Sequence, residues 1–164
     1  MLIIGSACSH FSSKEISSQT NRSKIKYKVT IYRDTWGVPH IFGKTDADAA
    51  YGLAYANAED DLQNMQDALL AARGKLASVY GKDKAPNDYM VHLFEIWRKV
   101  DSRYATDISS ATRKICEAYA DGVNQYILEH PKEALPGVYP ITGKDLVAGF
   151  LHWPAPQKLY QVLS

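Results

Sequence analysis

The chain has 164 residues and a formal net charge of +1, with 46% apolar and 23% charged residues. This length suits one domain with a hydrophobic core, and the composition is that of a globular protein rather than a disordered chain. Because the net charge is close to zero and Lys and Arg are spread among acidic residues, neither nucleic acid nor an anionic membrane is expected as a partner.

The first residues differ from the rest of the chain in composition. Residues 1–8 read MLIIGSAC, an apolar run that ends in small residues before Cys8 and resembles the end of a bacterial lipoprotein signal. This predicts a lipid anchor at Cys8 and a periplasmic or outer-envelope location; the alternative is a disordered N-terminus. Serines and scattered charges follow, so we predict a flexible tether over 1–25 and a folded domain over 26–164. No apolar run approaches the ~20 residues of a membrane-spanning helix.

A β-hairpin is predicted at the start of the domain. Apolar residues at 27, 29 and 31 alternate with residues 28, 30 and 32, which is the period of a half-buried strand. The tetrapeptide at 34–37 reads as a turn, and a second extended piece runs from Val38 to Phe42. Pro39 cannot donate to a strand ladder, so this second strand is expected at an edge of the sheet.

Helices are predicted for the remainder. Thr45, with Asp48 three residues later, predicts a capped start, and Gly74 predicts a break within the helical run over 46–80. Further helices are expected around 89–97, over 108–126 and from 142 to Pro154, where proline ends the last one. The predicted fold class is therefore α+β and mostly helical, with an N-terminal hairpin followed by four to five helices.

Several polar motifs favour structural roles. Residues 43–45 read GKT, but five residues instead of four separate them from the upstream Gly37, which does not fit a phosphate-binding loop, so the threonine is interpreted as a helix cap. Residues 59–61 read EDD and fan around a helix, which favours a solvated face with one carboxylate turned toward a basic partner over a metal site. Arg33 and Asp34 adjoin the turn and are expected to pair there.

No catalytic residue and no metal ligand are assigned on this chain. Cys8 and Cys116 have no second Cys or His at metal-ligand spacing, and Cys116 lies in an apolar helical stripe that predicts burial. His40 would need a nucleophile within hydrogen-bond reach, and the chain offers neither a G-x-S-x-G motif nor a Cys–His pairing. A structural role for His40 is the simpler interpretation.

Three segments together resemble one enzyme family: RDTWGVPHI at 33–41, AYGLAYANAEDD at 50–61 and ARGKLASVYG at 72–81. They are similar to the α chain of the penicillin amidase/acylase family of N-terminal nucleophile hydrolases, which also holds acyl-homoserine lactone and lipopeptide acylases. The family's Arg-Asp-x-x-Gly-x-Pro-His-Ile pattern is matched by Arg33, Asp34, Gly37, Pro39, His40 and Ile41. The resemblance implies the α-chain part of an αββα fold.

The same resemblance implies a function. Family members cleave the amide bond of an N-acyl substrate with a serine at the start of a separate β chain, whose own α-amine acts as general base. The implied partners are that β chain and an N-acyl small molecule of the β-lactam, acyl-homoserine lactone or lipopeptide class. Family α chains line the acyl pocket near their last helices, which implies substrate contacts for Phe150, Leu151 and Trp153. Some members hold calcium at the α/β contact, but that position would fall near or beyond Ser164, and no cofactor is assigned.

We therefore expect this chain to be an incomplete α-chain-like domain that is inactive on its own. Two alternatives remain open at this point: a non-catalytic helical protein tethered to the envelope through Cys8, and an inactive remnant of an acylase gene.

Overall fold

The computed structural model describes residues 13–17 and 26–152. Strands β2 (Lys28–Arg33) and β3 (Pro39–Gly43) form the predicted antiparallel hairpin, in which Ile31 lies opposite Ile41. A further strand, β1 (Ser13–Ser17), pairs antiparallel with the other edge of β2.

Strand β1 lies inside the range 1–25 that was expected to be a tether. The expected hairpin thus becomes part of a sheet with the order β1-β2-β3, because the outer backbone groups of β2 are available for pairing. The remainder of that range, Cys8 included, lies outside the described residues, so the lipid anchor stays a prediction.

One face of the sheet packs on the first helix, α1 (Asp46–Arg73). Val29 and Ile31 are buried at 6% and 4% exposure, which confirms the predicted alternation. A β-carbon added to Gly52 of α1 would lie 2.4 Å from Val29 Cγ2 and 2.9 Å from Ile41 Cγ2, so the helix approaches the strands closely. Phe42 lies on the opposite face and is 60% exposed.

The start and the end of α1 follow the sequence prediction. Thr45 Oγ1 accepts from the Asp48 N–H at 3.1 Å, and Asp48 Oδ2 accepts from the Thr45 N–H at 3.1 Å, which is a complete capping box. Gly74 ends the helix in the left-handed conformation (φ 63°), and the short helix α2 (Leu76–Tyr80) follows.

The region after α2 contains one helix more than the sequence indicated. The predicted helix around 89–97 is two helices, α3 (Ala85–Leu93) and α4 (Ile96–Asp107), separated at Glu95 with φ 51°. Helix α5 (Ser110–Glu129) starts after Ile108, and helix α6 (Gly143–His152) completes a set of six among the described residues. The break went unpredicted because Glu95 is neither glycine nor proline.

The main core lies between α1, α5 and the sheet. Tyr51 and Tyr55 of α1 are buried, and a β-carbon at Gly122 of α5 would lie 2.3 Å from the Tyr51 carbonyl oxygen, so the two helices cross in close contact. Cys116 is buried at 7% exposure, as predicted. No helix in the described part of the chain is long and apolar enough to cross a membrane.

Candidate functional site

The end of α1 holds α6 in place. Arg73 Nε donates to Asp145 Oδ1 over 2.6 Å, and the two side chains are only 12% and 2% exposed. The remaining guanidinium nitrogens donate to three backbone carbonyl oxygens in the loop 137–140 at 2.6 to 2.8 Å. Asp145 also accepts from the N–H and the hydroxyl of Thr142. One buried ion pair therefore fixes both the loop and the start of α6.

Helix α6 carries two of the three residues expected to contact an acyl group. Phe150 is 78% exposed and Leu151 is 44% exposed, whereas Ala148 of the same helix is fully buried. Trp153 lies outside the described residues. The structure therefore presents Phe150 and Leu151 as an apolar surface, and their substrate contact stays a prediction. His152, at the end of the helix, is half-buried, and burial lowers its pKa.

Arg33 joins the hairpin to α1. Its Nη2 lies 2.8 Å from Glu59 Oε2 and 2.8 Å from Asp60 Oδ1, and its Nη1 donates to the Gly37 carbonyl at 2.7 Å. These contacts replace the expected pair between Arg33 and Asp34. Arg33 ends β2 on the same strand face as Val29 and Ile31, and this face packs on α1, so the arginine meets the carboxylates of that helix.

Asp34 organises the turn instead. Its Oδ1 accepts from the N–H groups of Trp36 and Val38 at 2.9 Å each, and its Oδ2 lies 3.4 Å from His40 Nε2. Desolvation raises the pKa of Asp34, but the two backbone N–H groups and His40 outweigh it and lower the pKa. These contacts give His40 a structural role in the turn, consistent with the sequence interpretation.

The acidic run at 59–61 differs from the expectation in one respect. One carboxylate was expected to meet a basic partner, but both Glu59 and Asp60 contact Arg33, because a planar guanidinium fork reaches two neighbouring carboxylates. Asp61 accepts from the side chain of Asn64 at 2.6 Å, and its backbone leaves the helical region (φ −157°, ψ 61°).

No metal site emerges from the described residues. Within that part of the chain, no group of three or more His, Cys, Asp or Glu side chains is placed to hold a metal ion.

The residue that sequence reasoning missed is Arg73. Its partner Asp145 is 72 positions away, so the only local signal was a basic residue in the last turn of a helix.

The comparisons with known proteins agree on one family. The family model described as penicillin amidase matches residues 28–159. The chain is 30% identical over 112 residues to an acyl-homoserine lactone acylase, QuiP, from Pseudomonas putida. This match covers 68% of this chain and 14% of the relative. It is 31% identical over 100 residues to a penicillin G acylase from Escherichia coli, which covers 61% of this chain and 12% of the relative. The chain therefore spans about a seventh of the length of these curated relatives.

A solved structure extends the likeness to the fold. A thermostable penicillin G acylase from Alcaligenes faecalis matches with a TM-score of 0.63 and 29% identity. The match covers 79% of this chain and 73% of the chain in that structure.

Proposed function

This chain belongs to the penicillin amidase family, and on that premise we propose that it forms the α-chain-like part of an N-acyl amidohydrolase. Its role is framework and partial pocket wall. The nucleophile is a serine at the first residue of a companion β chain, because only a chain-terminal serine has a free α-amine to act as base. The family match over residues 28–159 carries this proposal.

The exposed apolar side chains support a companion that packs on the described surface. Trp36 at the tip of the hairpin is 89% exposed, Val38 is 53% exposed and Phe42 is 60% exposed. They lie on or beside β3, an edge strand of the described sheet, so a companion could cover side chains and pair with backbone at the same place. Large exposed aromatic residues are the side chains that most often anchor protein interfaces.

The substrate is proposed to be an N-acyl amide of the β-lactam, acyl-homoserine lactone or lipopeptide class. Phe150, Leu151 and Trp153 are proposed to contact its acyl group. Two of these side chains are already solvent-exposed and apolar, so an acyl chain could reach them without any helix of this chain moving. In the first step the serine hydroxyl attacks the amide carbonyl, the amine leaves, and water then hydrolyses the acyl-enzyme.

The test compares the chain alone with the chain produced together with a β chain encoded downstream of it. Each preparation is assayed for release of amine from an N-acyl amide. We expect no turnover from the chain alone and turnover from the pair, and none from a pair in which alanine replaces the N-terminal serine of the β chain. Full turnover by the isolated chain would contradict the proposal, and so would an inactive pair that nevertheless assembles.

We also propose that the protein works in the periplasm or at the outer envelope, attached through Cys8. The support is the lipoprotein-like run before this cysteine. The wild-type protein should fractionate with membranes, and a Cys8→Ser variant should move to the soluble fraction. An unchanged distribution would contradict the anchor.

A further inference from the structure

A cleft of about 730 Å³ opens between helices α3 and α4 on one side and the loop before α6 on the other. Its size falls within the range of about 300–1,000 Å³ that is typical of small-molecule sites. Trp97 and Tyr139 contribute aromatic surface, and the buried side chains of Val91 and Ile96 also line the cleft. The cleft shares no lining residue with the apolar surface formed by Phe150 and Leu151.

The charges that line this cleft are unequal in number. Arg73 and Asp145 neutralise each other in a buried ion pair at its floor. At the rim, Arg98 pairs with Glu95, and both side chains are at least half exposed. The exposed Lys75 has no carboxylate partner among the described residues. Of the Lys, Arg, Asp and Glu side chains that line the cleft, three are positive and two are negative, so the lining carries one surplus positive charge.

The backbone at the rim is in a rare conformation. Glu95 adopts the left-handed region at φ 51° and ψ 41°, and it is the non-glycine residue with positive φ in the described part of the chain. Residues other than glycine adopt this region only at a steric cost, and residues in such strained conformations cluster at ligand sites. At this position the chain turns from α3 into α4, which places Glu95 and its partner Arg98 on the same rim.

We propose that this cleft binds a small carboxylate that carries an aromatic or aliphatic tail. The tail packs against Trp97 and Tyr139, which exclude water from one wall. The carboxylate lies at the rim beside Lys75 and the guanidinium of Arg98. A neutral ligand would form no ion pair with Lys75, and a cation would be repelled by the surplus positive charge. The cleft is built by residues of this chain, so binding does not require a companion β chain.

The test is an amide NMR titration of the full chain with 4-phenylbutyrate, with the neutral 4-phenylbutyramide as a matched probe. Shifts should concentrate on the residues that line the cleft. The acid should bind about fivefold more tightly than the amide, which is the upper end for exposed ion pairs. Both variants of the rim, Lys75→Met and Arg98→Met, keep an apolar stem while removing the charge.

In the double variant K75M/R98M the preference for the acid should fall to less than about twofold, while binding of the amide stays unchanged. A control variant, Lys114→Met, removes an exposed charge that does not line the cleft, and it should leave both affinities as in the wild type. The proposal is overturned if the shifts lie elsewhere, if the acid and amide bind wild type equally, or if the control loses the preference as the double variant does.

Discussion

Replacing Arg73 with methionine is the sharpest test of how helix α6 is held. The change leaves Asp145, which is 2% exposed, as a buried carboxylate without its counter-charge, and three loop carbonyl oxygens lose their donor. Removing one partner of a buried ion pair lowers the free energy of unfolding by about 3–5 kcal/mol. A domain of this size is stable by about 5–15 kcal/mol, so the loss is a large fraction of the total.

Urea unfolding followed by far-UV circular dichroism measures the change. The control is Arg103→Met, because Arg103 pairs with Asp107 at 3.8 Å on the surface, with side chains 73% and 53% exposed. Its loss should stay below about 1 kcal/mol. The double variant R73M/D145N should recover part of the loss, since it removes the isolated buried charge and keeps a side-chain oxygen that can accept from Thr142. A loss below about 1 kcal/mol for Arg73→Met, or a double variant no more stable than Arg73→Met, would refute the reasoning.

Three further changes test the packing, the backbone and the pH response. Gly52→Ala should lower the free energy of unfolding by about 1–3 kcal/mol, because the new methyl group meets Val29 Cγ2 at 2.4 Å. The control Gly149→Ala, whose methyl group meets nothing within 4 Å, should not destabilise the protein. Equal melting temperatures for the two variants would contradict the close approach of α1 to the strands. Glu95→Gly should raise the free energy of unfolding by about 1 kcal/mol because glycine tolerates positive φ, and a decrease in urea unfolding would contradict this. Desolvation raises the pKa of Asp48, but hydrogen bonds from backbone N–H groups and a hydroxyl outweigh it and lower the pKa below 3.8. The contribution of Asp48 to the free energy of unfolding is therefore present above pH 3.8 and is lost as the pH falls through the lowered pKa. Asp48→Asn should therefore flatten the acid limb of the stability–pH curve, and an unchanged limb would contradict the assignment.

The elements that could be predicted are those with local causes. The start of α1 follows from the reach of one hydroxyl and one carboxylate over three residues at Thr45 and Asp48. The end of α1 follows from the left-handed freedom of Gly74. By contrast, the break at Glu95 has no local signal, because positive φ is uncommon for residues other than glycine and the segment 89–97 holds neither glycine nor proline.

The candidate site was less accessible to prediction because its contacts are long-range. The family resemblance pointed to Phe150 and Leu151, but the exposure of these two side chains depends on how α6 is docked. That docking rests on Arg73 and Asp145, which no sequence spacing relates. The same holds for Arg33, whose partners lie 26 and 27 positions away on α1.

The two arginines have corresponding roles at the middle and at the end of α1. Arg33 fixes the hairpin, which exposes Phe42, and Arg73 fixes α6, which exposes Phe150. Each apolar element is thus held to the same helix by an arginine that also bonds backbone carbonyl oxygens. A surface ordered in advance loses less conformational freedom on association than a flexible one. If a companion chain docks as proposed, the two arginines favour its docking indirectly, because they hold both apolar elements in position beforehand.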